Sequence, residues 1–217
     1  MNGDLFENDT RAAPRTEVLA PGALLLRGFA LPASASLLDV LPALLTASPW
    51  RHLVTPGGRT MSVAMTNCGP LGWVSDRRGY RYAALDPLSD APWPPLPAPF
   101  LTLARTAAEA AGFADFTPSA CLINRYAPGT RLSLHQDRDE LDLRQPIVSV
   151  SLGLPAVFLF GGLSRSDKPR RVALRHGDVV VWGGPSRLAF HGVMPVAEGV
   201  HDATGTCRIN VTFRRAA

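Results

Sequence analysis

The sequence predicts a mainly β chain with flanking helices, an α+β class in which many short strands close into a jelly roll or barrel. Three observations predict it. From residue 120 onward, short runs rich in β-branched and aromatic residues are separated by Gly and Pro. Two earlier windows carry helical spacing instead. Near the C-terminus, Arg208 to Arg214 alternates strictly between polar and apolar residues.

Taken in order, residues 1–17 are polar and are expected to be loose. Gly22 to Phe29 reads as a short strand. Ser34 to Ser48 reads as a helix, because Leu37, Leu38, Leu41, Leu44 and Leu45 fall at helical spacing and Ser34 or Ser36 can cap it. Pro42 inside that window limits or kinks the helix. Residues 50–97 hold Trp50, Trp73, Trp93, Tyr80 and Tyr82 among many turn formers, with Arg51, Arg59, Arg77, Arg78 and Arg81 interleaved. Short strands and hairpins forming a surface elaboration are expected there. Pro97 to Ala111 reads as a helix stopped by Gly112. Strands follow at Ala120 to Tyr126, Ile147 to Leu152, Ala156 to Phe160, Arg171 to Leu174, Asp178 to Trp182 and Thr206 to Arg214.

The 217 residues are 46% hydrophobic, which suits one domain with a sizeable core and excludes a disordered chain. A net charge of +4 permits binding to a polyanion without requiring it. Lys168 is the only lysine, a bias that composition explains better than any site does. Cys68, Cys121 and Cys207 form no CxxC pair, and their odd number argues against a disulfide framework. No signal peptide or membrane span is legible, so a cytoplasmic protein is expected.

Chemistry enters with His135-Gln136-Asp137. In an extended segment, residues two apart share a face, so this imidazole and carboxylate can share a metal. A bare pair of this kind is a weak signal, and a surface His beside a turn Asp would look the same. His191 is chosen as third ligand because Leu188, Ala189, Phe190 and Val193 flank it. Two His and one carboxylate leave metal positions open, as non-heme Fe(II) oxygenases need.

In Arg208 to Arg214, Ile209, Val211 and Phe213 face one side, and Arg208, Asn210, Thr212 and Arg214 the other. The polar side either meets solvent on an edge strand or lines the inside of a barrel. Inside, two arginines would need anions, which a dicarboxylate supplies in bidentate geometry. Asn124 and Tyr126 share a face and would join that lattice.

The runs CLINRYAPGTRLSLHQDRDE, PIVSVSLGLPAVFLFGG, HGDVVVWGG, FHGV and CRINVTFR, in that order, resemble the bacterial AlkB group of Fe(II)/2-oxoglutarate-dependent nucleic-acid dioxygenases. TPGGRTMSVAMTNCGPLGW resembles the base-recognition region of the same group. The likeness spans about residues 18–215. It implies a double-stranded β-helix (jelly roll) core over 120–215 and an N-terminal nucleotide-recognition lid over 50–97, within a single dioxygenase domain. It implies that His135, Asp137 and His191 hold iron, and that Asn124, Tyr126, Arg208, Asn210 and Arg214 hold 2-oxoglutarate, with O2 as the other co-substrate. Trp73, Tyr80, Asp139 and Arg165 fall where that group contacts its substrate. Without the resemblance, Trp73 would read as a core residue and Asp139 and Arg165 as surface charges. The implied function is repair by oxidative demethylation of alkylated DNA, carrying lesions such as 1-methyladenine and 3-methylcytosine. A monomer acting on single-stranded DNA is expected. The alternatives are the same chemistry on RNA, and a nucleic-acid-binding module whose metal site is inactive.

Overall fold

The computed structural model describes residues 15–217. Thirteen strands and three α-helices follow one another: β1 (Thr16–Ala20), β2 (Ala23–Leu26), α1 (Ser34–Asp39), α2 (Leu41–Ala47), β3 (Ala64–Cys68), β4 (Gly72–Asp76), β5 (Gly79–Ala83), α3 (Ala98–Ala110), β6 (Ala120–Tyr126), β7 (Leu132–His135), β8 (Ile147–Gly153), β9 (Ala156–Phe160), β10 (Arg170–Leu174), β11 (Val179–Trp182), β12 (His191–Val193) and β13 (Arg208–Arg214).

Seven strands form a major sheet in the order β1-β2-β11-β8-β13-β6-β3, and four form a minor sheet, β10-β9-β12-β7. All the pairings between these strands are antiparallel. One face of the major sheet packs on the helices. Ile123, Val150, Val181, Val211 and Phe213 meet Leu37, Leu44, Phe100 and Leu103 there. The opposite face joins the minor sheet through Tyr126, Ile147, Trp182, Phe158 and Phe160. This two-sheet sandwich is the expected jelly roll. Because side chains alternate along a strand, apolar residues serve the helix face while their polar neighbours are turned into the space between the sheets.

Several expectations need correction. The single helix over residues 34–48 is two helices meeting at Val40. Pro42 lies in the first turn of α2, where its missing N–H is one of the groups a helix leaves unpaired anyway. Of the loose segment 1–17, residues up to 14 lie outside the described residues. Thr16 and Glu17, however, begin β1, paired with Leu26 and Leu25. The segment 50–97 is not all surface, since β3 is buried throughout and hydrogen-bonds to β6 as a strand of the major sheet. Only β4 and β5 stand out as a two-stranded hairpin. Gly72 lets the Trp93 indole close against its base, where a Cβ would collide with the ring. Helix α3 runs as predicted and stops before Gly112, whose φ of +84° suits glycine. β7 and β12 are too short for periodicity to reveal. Among the described residues, no helix is long and apolar enough to cross a membrane.

Candidate metal and co-substrate site

β13 settles the question its alternation raised. It lies between β8 and β6, so both of its edges are paired and neither face meets solvent. Arg208 is 1% exposed and Arg214 8%. The polar stripe therefore lines the interior.

At one end of the space between the sheets, β7 and β12 pair so that His191 lies opposite His135. Their rings are 4.3 Å apart. Asp137 follows two residues after His135. Its Oδ1 is 3.5 Å from His135 Nε2 and 3.8 Å from His191 Nε2. One ligand atom from each residue falls within 4.8 Å of the others, so a single ion fits among them. Each ring bonds through Nδ1 to a backbone carbonyl, of Ser133 and of Ala189, which leaves Nε2 of both turned toward Asp137. Burial and the charge of His135 depress the His191 pKa to about 4, so its imidazole is neutral and ready to ligate at pH 7. Burial opposes ionisation of Asp137, but Arg214 and the two imidazoles outweigh it and hold the carboxyl well below its usual range.

Arg214 donates from Nε at 2.8 Å and from Nη2 at 2.6 Å to Asp137 Oδ2. Arg208 is placed differently. One of its amino groups donates to Ser151 Oγ at 2.9 Å, and its guanidinium lies 4.9 Å over the Tyr126 ring. Its Nε and Nη1 are buried without a partner, as is Asn124 Oδ1. No carboxylate pairs with Arg208 among the described residues, and desolvation lowers its pKa. A buried cation with two unused donors demands an anion. A dicarboxylate would answer that demand with one of its carboxylates on Arg208, so the residues present fit both Fe(II) and 2-oxoglutarate. Asn210 lies opposite Asn124 in the ladder and is braced by Ser149 Oγ and the Val150 carbonyl. Ser149 and Ser151 had no signal in the sequence, being two small polar residues in an otherwise apolar strand.

The 2OG-Fe(II) oxygenase superfamily model matches residues 22–214. The chain is 62% identical over 214 residues to "Alpha-ketoglutarate-dependent dioxygenase AlkB" of Salmonella typhimurium, covering 99% of this chain and 98% of that protein. Identity to the protein of the same name from Escherichia coli is 58%, covering 98% and 97%. This chain belongs to the AlkB family. The solved structure of OsALKBH1 has the same fold, with a TM-score of 0.82 at 29% identity, covering 93% of this chain and all of that one. As an AlkB-family member the enzyme is a dioxygenase using Fe(II), 2-oxoglutarate and O2.

On the side of this AlkB-family site nearest the hairpin, three of the four expected substrate residues come together. Trp73 and Tyr80 stack with ring centroids 5.5 Å apart and planes 13° from parallel. Trp73 Nε1 donates to Asp139 Oδ2 at 2.9 Å. Asn67, buried on β3, holds the Trp73 backbone by two hydrogen bonds, and the indole itself is half-buried, packed at the margin of the core between the sheets. Arg165 stands apart from these three. It donates to the Leu134 carbonyl and lies over Phe190, the residues just before His135 and His191.

Of the five arginines interleaved with the aromatics of residues 50–97, which would be candidates for phosphate contacts, Arg51 is committed elsewhere. Both oxygens of buried Asp86 take its hydrogen bonds, and its guanidinium lies over Trp93, because a buried carboxylate requires a counter-ion. Arg78 and Arg81 pair with Asp76. Sequence reasoning also missed Glu140, Arg187 and Tyr82, which form a buried chain of bonds beside Asp137. No pattern announces them, since their partners are far apart in sequence.

Proposed function

We propose that this enzyme removes small alkyl groups from cationic base lesions, 1-methyladenine and 3-methylcytosine above all, in single-stranded DNA. The observation that carries the reading is the Asp139 carboxylate bonded to the edge of the stacked Trp73, two residues beyond Asp137. A flipped base needs an aromatic face to stack on and a polar group to read its edge. Alkylation at N1 of adenine or N3 of cytosine makes the base a cation, and a carboxylate beside the stacking face favours it over the neutral base.

His135, Asp137 and His191 would hold Fe(II), and Arg208, Asn124, Tyr126, Asn210 and Arg214 would hold 2-oxoglutarate, with Arg208 on the distal carboxylate. When bound, Fe(II) with 2-oxoglutarate and O2 supplies the oxidation of a C–H bond, with succinate and CO2 formed alongside. Arg214 keeps Asp137 ionised and aimed at the imidazoles. Trp73 and Tyr80 orient the base, and Asp139 selects its charge. The apolar wall of Phe158, Phe160 and Trp182 behind His191 excludes water. The hydroxylated alkyl group then leaves as an aldehyde and restores the base.

The domain reading is part of the same proposal: residues 18–215 act as one dioxygenase domain, and the β4–β5 hairpin, the part of 50–97 that stands outside the major sheet, covers the site. Of the five arginines interleaved with the aromatics, Arg51, Arg78 and Arg81 are paired with carboxylates, which makes Arg59 and Arg77, with Arg165 beside the site, the candidates for phosphates. We take the enzyme to work as a cytoplasmic monomer, which its three unpaired cysteines suit.

The test loads the protein with Fe(II) and 2-oxoglutarate without oxygen, then admits O2 in the presence of a 1-methyladenine oligonucleotide. Formaldehyde in step with succinate is expected. Parallel arms with duplex DNA, methylated RNA and a peptide rank the substrates. Succinate without formaldehyde from any nucleic acid overturns the reading.

A further inference from the structure

β4 and β5 pair so that Trp73 lies directly opposite Tyr82. Directly opposed residues share one face of a hairpin, and both of these side chains bond to the segment that follows Asp137. Trp73 Nε1 reaches Asp139, and the Tyr82 hydroxyl donates to Glu140 Oε1 at 2.6 Å. Two cross-strand neighbours are thus bonded to two consecutive carboxylates, placed two and three residues beyond the ligand.

The Tyr82 contact leads inward. Glu140 is 6% exposed and Arg187 3%. The second oxygen of Glu140 accepts from Arg187 at 2.9 Å, and Arg187 donates another N–H to the backbone carbonyl of Asp137 at 2.7 Å. Arg214, which holds Asp137 Oδ2, also stands 3.4 Å from Glu140 Oε1. A phenol on the hairpin is therefore three hydrogen bonds from the backbone of Asp137. Networks of this kind, satisfied at every member and shielded from water, hold their parts in one geometry.

We propose that Tyr82 is a positioning residue for alkyl removal, tying the hairpin that carries the stacking rings to the loop that carries the metal ligand so that the two move as one body. The idea rests on the site reading given above. Oxidation at the metal does not itself need the hairpin, whereas delivery of that oxidation to a base does. Misplacing the base by about 1 Å is enough to lose much of the rate. Loss of the latch therefore separates the two products.

The experiment compares wild type with Tyr82→Phe, which keeps the ring and removes only the bond. Succinate and formaldehyde are measured with and without a 1-methyladenine oligonucleotide. Succinate release without nucleic acid should be unchanged. With the oligonucleotide, formaldehyde per succinate should fall by about threefold or more, an effect of position that loss of packing alone does not produce. A ratio equal to the wild-type value overturns the latch. Wild type that yields no formaldehyde overturns the functional reading instead, so the two failures are distinct. Should Tyr82→Phe not fold, hydrogen exchange on wild type decides. The amides of β4 and β5 should open together with those of residues 137–143 as one unit, and separate opening refutes the proposal.

Discussion

Arg214 and Asp137 divide the labour of a single carboxylate. Two nitrogens of Arg214, Nε and Nη2, donate to Oδ2 at 2.8 and 2.6 Å, and this leaves Oδ1 facing the two imidazoles. The guanidinium selects which oxygen is presented to the metal and keeps it charged. Arg214 is raised above its ordinary range because the carboxylate beside it outweighs its burial.

Removing His135 and removing Asp137 should therefore have unequal effects. His135→Ala and Asp137→Ala should both abolish succinate release. Asp137→Ala alone should also lower stability, by about 3 kcal/mol, because it leaves a buried guanidinium short of its counter-ion. Urea unfolding of the two metal-free variants checks this. Equal midpoints would show that the pair holds nothing in place, and turnover in either variant would refute the metal site.

Arg208 is expected to act on co-substrate binding. Arg208→Ala should raise the KM for 2-oxoglutarate by about 100-fold or more, the loss expected for a buried ion pair, with Fe(II) affinity unchanged. Arg208→Lys should recover little, since an ammonium cannot span two carboxylate oxygens in a planar fork. A KM within about twofold of wild type in the Ala variant would place the dicarboxylate elsewhere.

Asp139→Ala should reduce activity on cationic lesions about tenfold more than on neutral ones, the equivalent of about 1.4 kcal/mol of charge preference. The comparison uses 1-methyladenine against an uncharged alkylated base in the same oligonucleotide. Equal losses on both would mean that Asp139 serves only to hold Trp73.

Far from the site, Glu17 on β1 bonds Arg27, which also bonds buried Asp178. The hydrogen bond from Arg27 lowers the Glu17 pKa. A depressed carboxylate stabilises the fold above its unfolded pKa, about 4.3, and loses that contribution as pH falls through the lower folded value. Wild type should thus exceed Glu17→Gln by about 0.5–1 kcal/mol at pH 7, given its part-exposed setting, and the two should converge in acid. Thermal melts across that range test it. A constant difference would show that packing, not charge, is at stake.

Much of this protein was legible in one dimension. The six strand runs read after residue 120 lie within about two residues of β6, β8, β9, β10, β11 and β13, because β-branched and aromatic runs bounded by Gly and Pro are written in neighbours, whereas β7 and β12 are too short to be read that way. The ligands His135 and Asp137 were legible as a pair two apart in an extended segment. His191 could be chosen only by its apolar flanks. What the chain could not announce was whether the polar face of Arg208 to Arg214 met water or a cavity. Alternation is identical on an edge strand and inside a sandwich, and only pairing of β13 on both sides excludes solvent. Nor could it announce that Arg51 serves Asp86, or that Tyr82, Glu140, Arg187 and Arg214 converge on Asp137. These bonds join residues brought together solely by sheet order and loop path, and short-range periodicity carries no record of such partners.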